Sequence, residues 1–242
     1  MTNLTFEVPH KHLEDFKDLQ DFHFALSLHC QWKAYRDFFK RQAVKGVKQV
    51  WLDNSFNETG KADSLTKLFK LAYQLGAHKI IIPDNPEWSV KKVVTQYNQA
   101  INLFSPASSI VVINSFEMMT ELEDQGAECF ALSYHVRLPY YNNGGLPGHF
   151  LWAKECHFLG LCSIRELQEI QPLSCDTSVP IKLALKGISI RQWYEDGCPR
   201  IHRQPGDKGK LVYYDIEMTK EQIELARQNI LNLKYAVNNM RR

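Results

Sequence analysis

No two of the six cysteines (Cys30, Cys129, Cys156, Cys162, Cys175, Cys198) form a CxxC pair, so a zinc site built on closely spaced thiolates is not supported. Several fall in apolar runs, where a free thiol acts as a small hydrophobe. The N-terminus, MTNLTFEVPHKHLEDF, lacks a basic-then-apolar signal pattern, and no apolar run reaches the roughly 18 residues of a membrane span. A cytoplasmic protein without disulfides is therefore expected. GxGxxG and GxxxxGK[ST] are both missing, so no dinucleotide fingerprint or P-loop is indicated. There is no solenoid-period repeat and no low-complexity tract. Excess charge is also missing: the net value of +2 does not by itself identify a nucleic-acid partner.

What the 242 residues do contain is 44% apolar residues, enough for a substantial core, and an alternation of β-rich runs with helix-period segments. Strands are predicted over 22–30, 48–53, 78–84, 108–114, 127–133, 155–161, 172–176 and 211–216. Helices are predicted over 31–44, 61–76, near 88–104, near 116–125, and over 163–170, 179–185 and 219–238. Gly76 is a helix stop, and Thr219 with Gln222 forms a capping box. Residues 134–150, rich in Gly, Pro, Asn and Tyr, read as a long functional loop. About eight β/α units predict one compact (β/α)8 TIM-like barrel domain, with an open doubly wound sheet as the alternative.

Three aspartates end predicted strands: Asp53 in VWLDNSF, Asp84 in IIIPDNP and Asp176 in LSCDTSVP. Such positions converge on the rim where barrels place their chemistry. Each also has a structural explanation, as an Asx-turn or helix cap. Together they suit acid–base or nucleophilic work at a sugar carbon, or carboxylate ligation of a metal. His29, His135 and His157 lie at or near strands, and His135 is placed to orient a phosphate or base. Between Lys182 and Lys210, seven Lys/Arg stand against three acids, with Trp193 and Tyr194 inside the run and Tyr213 and Tyr214 after it. This suits a phosphate backbone with an unstacked base, and equally a solvated surface.

The segment HFLGLCSIRELQEI–QPLSCDTSVP resembles the late-barrel region of tRNA-guanine transglycosylases. WLDNSFNETG resembles their early Asp-Ser-Gly-Gly-Phe-Gln motif, and IIIPDNP their base-reading strand end. The resemblance implies Asp176 as nucleophile, Asp53 as acid/base and Asp84 on the guanine edge. Asn114 stands where a base-binding Gln is found and Phe56 at the aromatic position. Ser133 and Tyr134 replace a Gly-Gly pair. The family's CxCxxC…His zinc subdomain is missing, as in compact phage-encoded relatives that insert 7-deazaguanines into DNA. The resemblance thus implies exchange of guanine for a free 7-deazaguanine base in DNA, or less readily in tRNA. Lys182, Lys186, Arg191, Arg200 and Arg203 would form the DNA groove, and Phe56, Tyr134 or Tyr140 would stack on the base. No metal or redox cofactor is implied. A metal-dependent barrel hydrolase or lyase and a non-catalytic nucleic-acid-binding protein stay open as alternatives.

Overall fold

The computed structural model describes residues 2–145, 147–197 and 213–239. Its strands are β1 (Asn3–Phe6), β2 (His23–Leu26), β3 (Val50–Asp53), β4 (Lys79–Ile81), β5 (Ser109–Ile113), β6 (Cys129–Ser133), β7 (His157–Leu159) and β8 (Ser174–Thr177). All pair in parallel, in the order β1-β8-β7-β6-β5-β4-β3-β2. Strands such as SIVVI of β5 are buried throughout, as a parallel sheet covered on both faces requires. The principal helices are α1 (Leu13–Phe16), α2 (Lys33–Lys45), α3 (Phe56–Thr59), α4 (Leu65–Leu75), α5 (Val90–Ile101), α6 (Phe116–Asp124), α7 (Tyr134–Asn142), α8 (Val179–Leu185), α9 (Ile190–Glu195) and α10 (Lys220–Asn239). The architecture is a nearly closed (β/α)8 TIM barrel.

The two ends of the strand order, β1 and β2, meet at a seam bridged by the residues just before β2. The Gln20 carboxamide accepts the Phe6 N–H at 2.6 Å and donates to the Phe6 carbonyl at 3.1 Å. Asp21 accepts the Leu4 N–H on its carboxylate at 2.7 Å and donates its own N–H to the Leu4 carbonyl at 2.9 Å. These contacts satisfy backbone groups that a missing ladder would leave exposed.

Helix boundaries follow local chemistry. Ser64 caps α4 by accepting the Lys67 N–H, and Gly76, at φ 68°, ends it. Leu68, Ala72 and Leu75 bury the core face of α4, whereas Phe69 is half-exposed against the Phe104 ring. The α10 capping box forms as expected: the Thr219 N–H donates to Gln222 Oε1 at 2.9 Å, and the Gln222 N–H to Thr219 Oγ1 at 3.3 Å. Buried Asn229 fastens α10 to the barrel. It accepts the Ile190 N–H at 2.7 Å and donates to the carbonyls of Pro180 and Ile188 at 3.2 and 3.1 Å.

Three sequence expectations are corrected. The strand expected at 211–216 is not one: Tyr213–Asp215 form a helical turn, and 211–212 lie outside the described residues. The remaining barrel strand is instead β1, whose four residues pair with β8 in the register Thr5↔Asp176. The stretch 134–150 is not an open loop, because its first half is α7, capped by Ser133, whose hydroxyl accepts the His135 N–H. Finally, Trp193, Tyr213 and Tyr214, read as part of either a base-stacking groove or a solvated surface, are buried in the main core.

Candidate active site

Side chains alternate between the two faces of a strand. This alternation brings Asp53 of β3 and Asp176 of β8 into one pocket at the C-terminal rim, joined by Glu7 just past β1 and Asp84 after β4. The pocket encloses about 470 Å³, its mouth included, and is completed by Glu58, Phe56, Asn57, Ser133, Tyr134, His135, Gly160 and three apolar side chains. Five carboxyl groups therefore share one small volume. Among the described residues its lining holds no lysine or arginine.

Asp176 sits at the centre of the hydrogen bonding. Its Oδ1 accepts the Gly160 N–H at 3.1 Å and lies 3.1 Å from His157 Nε2. The other imidazole nitrogen lies 2.9 Å from the Ser174 hydroxyl. Burial pushes His157 down to about 3, with Arg137 and Lys79 adding to the effect, so the ring is neutral. A neutral ring can donate to the Asp176 carboxylate only from Nε2. Nδ1 is then the acceptor for Ser174, which sets the tautomer.

Glu7 and Asp176 are hydrogen-bonded to each other. Glu7 Oε2 accepts the Tyr214 hydroxyl at 2.7 Å, and the Glu7 carbonyl accepts the Tyr213 hydroxyl at 2.6 Å. Desolvation, and then the neighbouring Asp176 charge, push Glu7 up to about 7, with Lys182 opposing. Desolvation raises Asp176 as well, and the Glu7 hydrogen bond, the Gly160 N–H and Arg137 offset only part of that rise. Both carboxyls therefore hold a proton more readily than free ones, and side by side they can share one between them.

Asp53 is held well above the usual carboxylate range, first by burial and then by Glu58, while the Ser55 N–H donates to it at 2.7 Å. Ser55 adopts φ 59°, a left-handed conformation that is strained for a residue with a Cβ. Its hydroxyl lies 3.0 Å from the Ser27 hydroxyl and accepts the Leu28 N–H at 3.0 Å, which anchors the turn. Asn54 ties β3 to β4, donating to the Ile82 carbonyl at 2.7 Å and to Asp84 at 2.8 Å. Burial raises Asp84 to about 6 against that hydrogen bond.

Of the residues singled out in the sequence, Asp53, Phe56, Asp84, Ser133, Tyr134, His135 and Asp176 share this pocket. Asn114 does not line it; its amide reaches the Pro86 carbonyl at 3.4 Å. Lys182 lies over the Tyr213 ring at 5.2 Å. Lys186 is exposed beyond α8, and Arg191 is paired with Glu195 at 2.9 Å. Arg200 and Arg203 lie outside the described residues. Sequence reasoning missed Glu7 and the central place of His157. The signal for Glu7 was present: LTFEVP, like LSCDTSVP, is a short strand followed by an acid and then a proline. His157 was seen only as a histidine near a strand, since nothing in HFLG tells which way its ring points.

The fold and the rim site define the class: a TIM barrel whose C-terminal mouth is lined with carboxyl groups. No family model matches the chain, and no curated protein matches it in sequence. Among solved structures it is similar to a ligand complex of KGPDC from Streptococcus mutans, with a TM-score of 0.55 and 9% identity over 98% of this chain and 99% of that one. A second structure of the same protein gives 0.51 and 9% over 99% and 100%. Phosphoribosylanthranilate isomerase from Thermotoga maritima gives 0.45 and 10% over 97% and 99%. At these identities the likeness is one of fold. These findings overturn the resemblance to guanine transglycosylases. With it go the expected exchange of guanine for a 7-deazaguanine in DNA, the glycosyltransferase activity and the phage-type assignment. No helix among the described residues is long and apolar enough to cross a membrane.

Proposed function

We propose that this chain is a barrel enzyme of isomerase or lyase type that moves a proton at a carbon of a small, polar, neutral or cationic substrate. The observation that carries this reading is the hydrogen-bonded Glu7–Asp176 carboxyl pair inside the rim pocket, both held above the ordinary carboxylate range. Asp176 is the anion and serves as general base. Glu7, neutral up to about 7, serves as general acid beside it. His157 donates to Asp176 and keeps its Oδ1 aligned. A pocket with five carboxyls and no lining lysine or arginine repels a phosphate or carboxylate ester and suits hydroxyl or ammonium groups.

The structural neighbours support a barrel enzyme; their own ligands are not carried over at 9% identity. A metal-dependent lyase is the second reading, and it belongs to the same broad class. Among the described residues, however, no group of three or more His, Cys, Asp or Glu is arranged to hold an ion, so the first reading routes the proton through the carboxyls.

The test is ligand-induced thermal stabilisation across a charge series of polyols, sugars, amino sugars, carboxylates and sugar phosphates, followed by NMR of the stabilising compounds in D2O. Neutral or amino compounds should stabilise the protein and acquire deuterium at one carbon, and Glu7→Gln should abolish the incorporation. Preferential binding of phosphates or carboxylates would sink the reading.

A further inference from the structure

Arg137, on α7, is fully buried, as is Glu166. Its Nε donates to Glu166 Oε1 at 2.6 Å, one terminal nitrogen donates to the Leu132 carbonyl, and the other to the Gly160 carbonyl and, at 3.5 Å, to the Leu159 carbonyl. The guanidinium lies 4.2 Å from the centre of the Phe158 ring. Glu166 uses its second oxygen to accept the Cys162 N–H at 2.9 Å. Burial works against the Arg137 charge, and Glu166 more than offsets that, so Arg137 stays cationic. A buried ion pair of this kind is seldom the most stable filling for a core; apolar side chains of similar volume commonly do as well or better. Its retention asks for a reason beyond stability.

The contacts supply one. The carbonyls that Arg137 grips belong to the end of β6 and to the Leu159–Gly160 turn after β7. Gly160 adopts φ 70°, a conformation few side-chain-bearing residues take, and its N–H is the one aimed at Asp176. The chain of contacts runs from Glu166 through Arg137 and the Leu159–Gly160 peptide to Asp176 Oδ1.

We propose that Arg137, clamped by Glu166, is a positioning residue for the carboxyl pair: it holds the Gly160 N–H on Asp176 and sets a buried positive charge behind it, so that Asp176 remains the base and Glu7 the acid. This rests on the proton-transfer reading for its purpose but not for its test. The groups facing Asp176 are Glu7 beyond β1, Asp53 on β3, Arg137 on α7, His157 on β7 and Cys175 on its own strand, with Lys182 of α8 acting on Glu7. Of these, Arg137 and its partner Glu166 can be changed without touching the pocket lining.

The experiment is a carboxyl 13C NMR titration of the substrate-free protein carrying labelled Asp and Glu, with Asp176→Asn assigning the resonance. Arg137→Met combined with Glu166→Leu removes both charges and leaves an apolar core. The Asp176 midpoint should rise by about one pH unit, a tenfold gain in proton affinity. Glu166→Gln keeps the clamp's shape but leaves Arg137 uncompensated, so the midpoint should fall. A merely structural pair would not move Asp176 in opposite directions. An unchanged midpoint in folded variants, or a shift of the same sign in both, overturns the proposal. Should the double variant not fold, Arg137→Lys, which keeps the charge and loses the fork, must still raise the midpoint by a smaller step; no rise refutes the role. Because no substrate enters the titration, its failure is distinct from a failure to find proton exchange.

Discussion

Glu7→Gln should make the protein more stable than wild type above neutral pH and nearly equal to it in acid. In the native state Glu7 keeps its proton up to about 7, whereas the unfolded chain releases it near 4.5. A folded pKa raised above the unfolded one contributes stability that is complete below the lower value and lost as pH rises to the higher. Wild type therefore weakens between about pH 4.5 and 7 and is flat above. Glutamine has no proton to lose, and its amide can still donate to Asp176 and accept from the Tyr214 hydroxyl. At about 1.4 kcal/mol per pH unit, the shift corresponds to at most about 3–4 kcal/mol, an upper figure because the Glu7 side chain is only partly shielded from solvent. For a chain of this length that is roughly 5–10 °C in Tm. Urea unfolding of both proteins at intervals from pH 4 to 8 measures it, since carboxylates common to both cancel in the difference. A stability difference that stays flat across that window would refute the shared-proton account. So would a wild type that gains on the variant toward alkaline pH.

Asp176→Asn should fold and retain ligand-induced stabilisation while losing about 10²–10⁴-fold in deuterium incorporation, measured by NMR against wild type. Gly160→Ala should cost about 1–2 kcal/mol in urea unfolding, because φ 70° is strained for any residue with a Cβ. The added methyl meets Tyr134 Cβ at an ordinary 3.5 Å, so a larger loss would mean that the turn has moved rather than strained. Asn229→Ala removes the acceptor of the Ile190 N–H and a donor from each of the Pro180 and Ile188 carbonyls, and should lower stability by about 2–4 kcal/mol with the pocket's ligand preferences unchanged.

Seven of the eight strands were readable because each is an apolar run closed by a turn residue and followed by a helix-period stretch. β1 was not, because NLTF is too short to show a period and becomes a strand only by pairing with β8. The YY pair at 213–214 looked like a strand for the opposite reason: β-favouring rings that in fact fill the core, with their hydroxyls on Glu7. Aromatic content beside basic residues could not distinguish a stacking platform from a packed core, and burial settled it.

The order of apolar runs and the acids that end them pointed to a β/α-repeat fold, a barrel or an open sheet, with Asp53, Asp84 and Asp176 at one rim, because strand alternation and chain direction are local properties that any β/α repeat carries. Which of those acids is charged could not be read from the chain. That depends on distance and solvent: burial raises both Glu7 and Asp176, while Glu7, Gly160 and Arg137, each remote from Asp176 in sequence, converge on its carboxylate and offset part of its rise. Proton affinities are set by neighbours in space, and only the folded barrel brings those neighbours together.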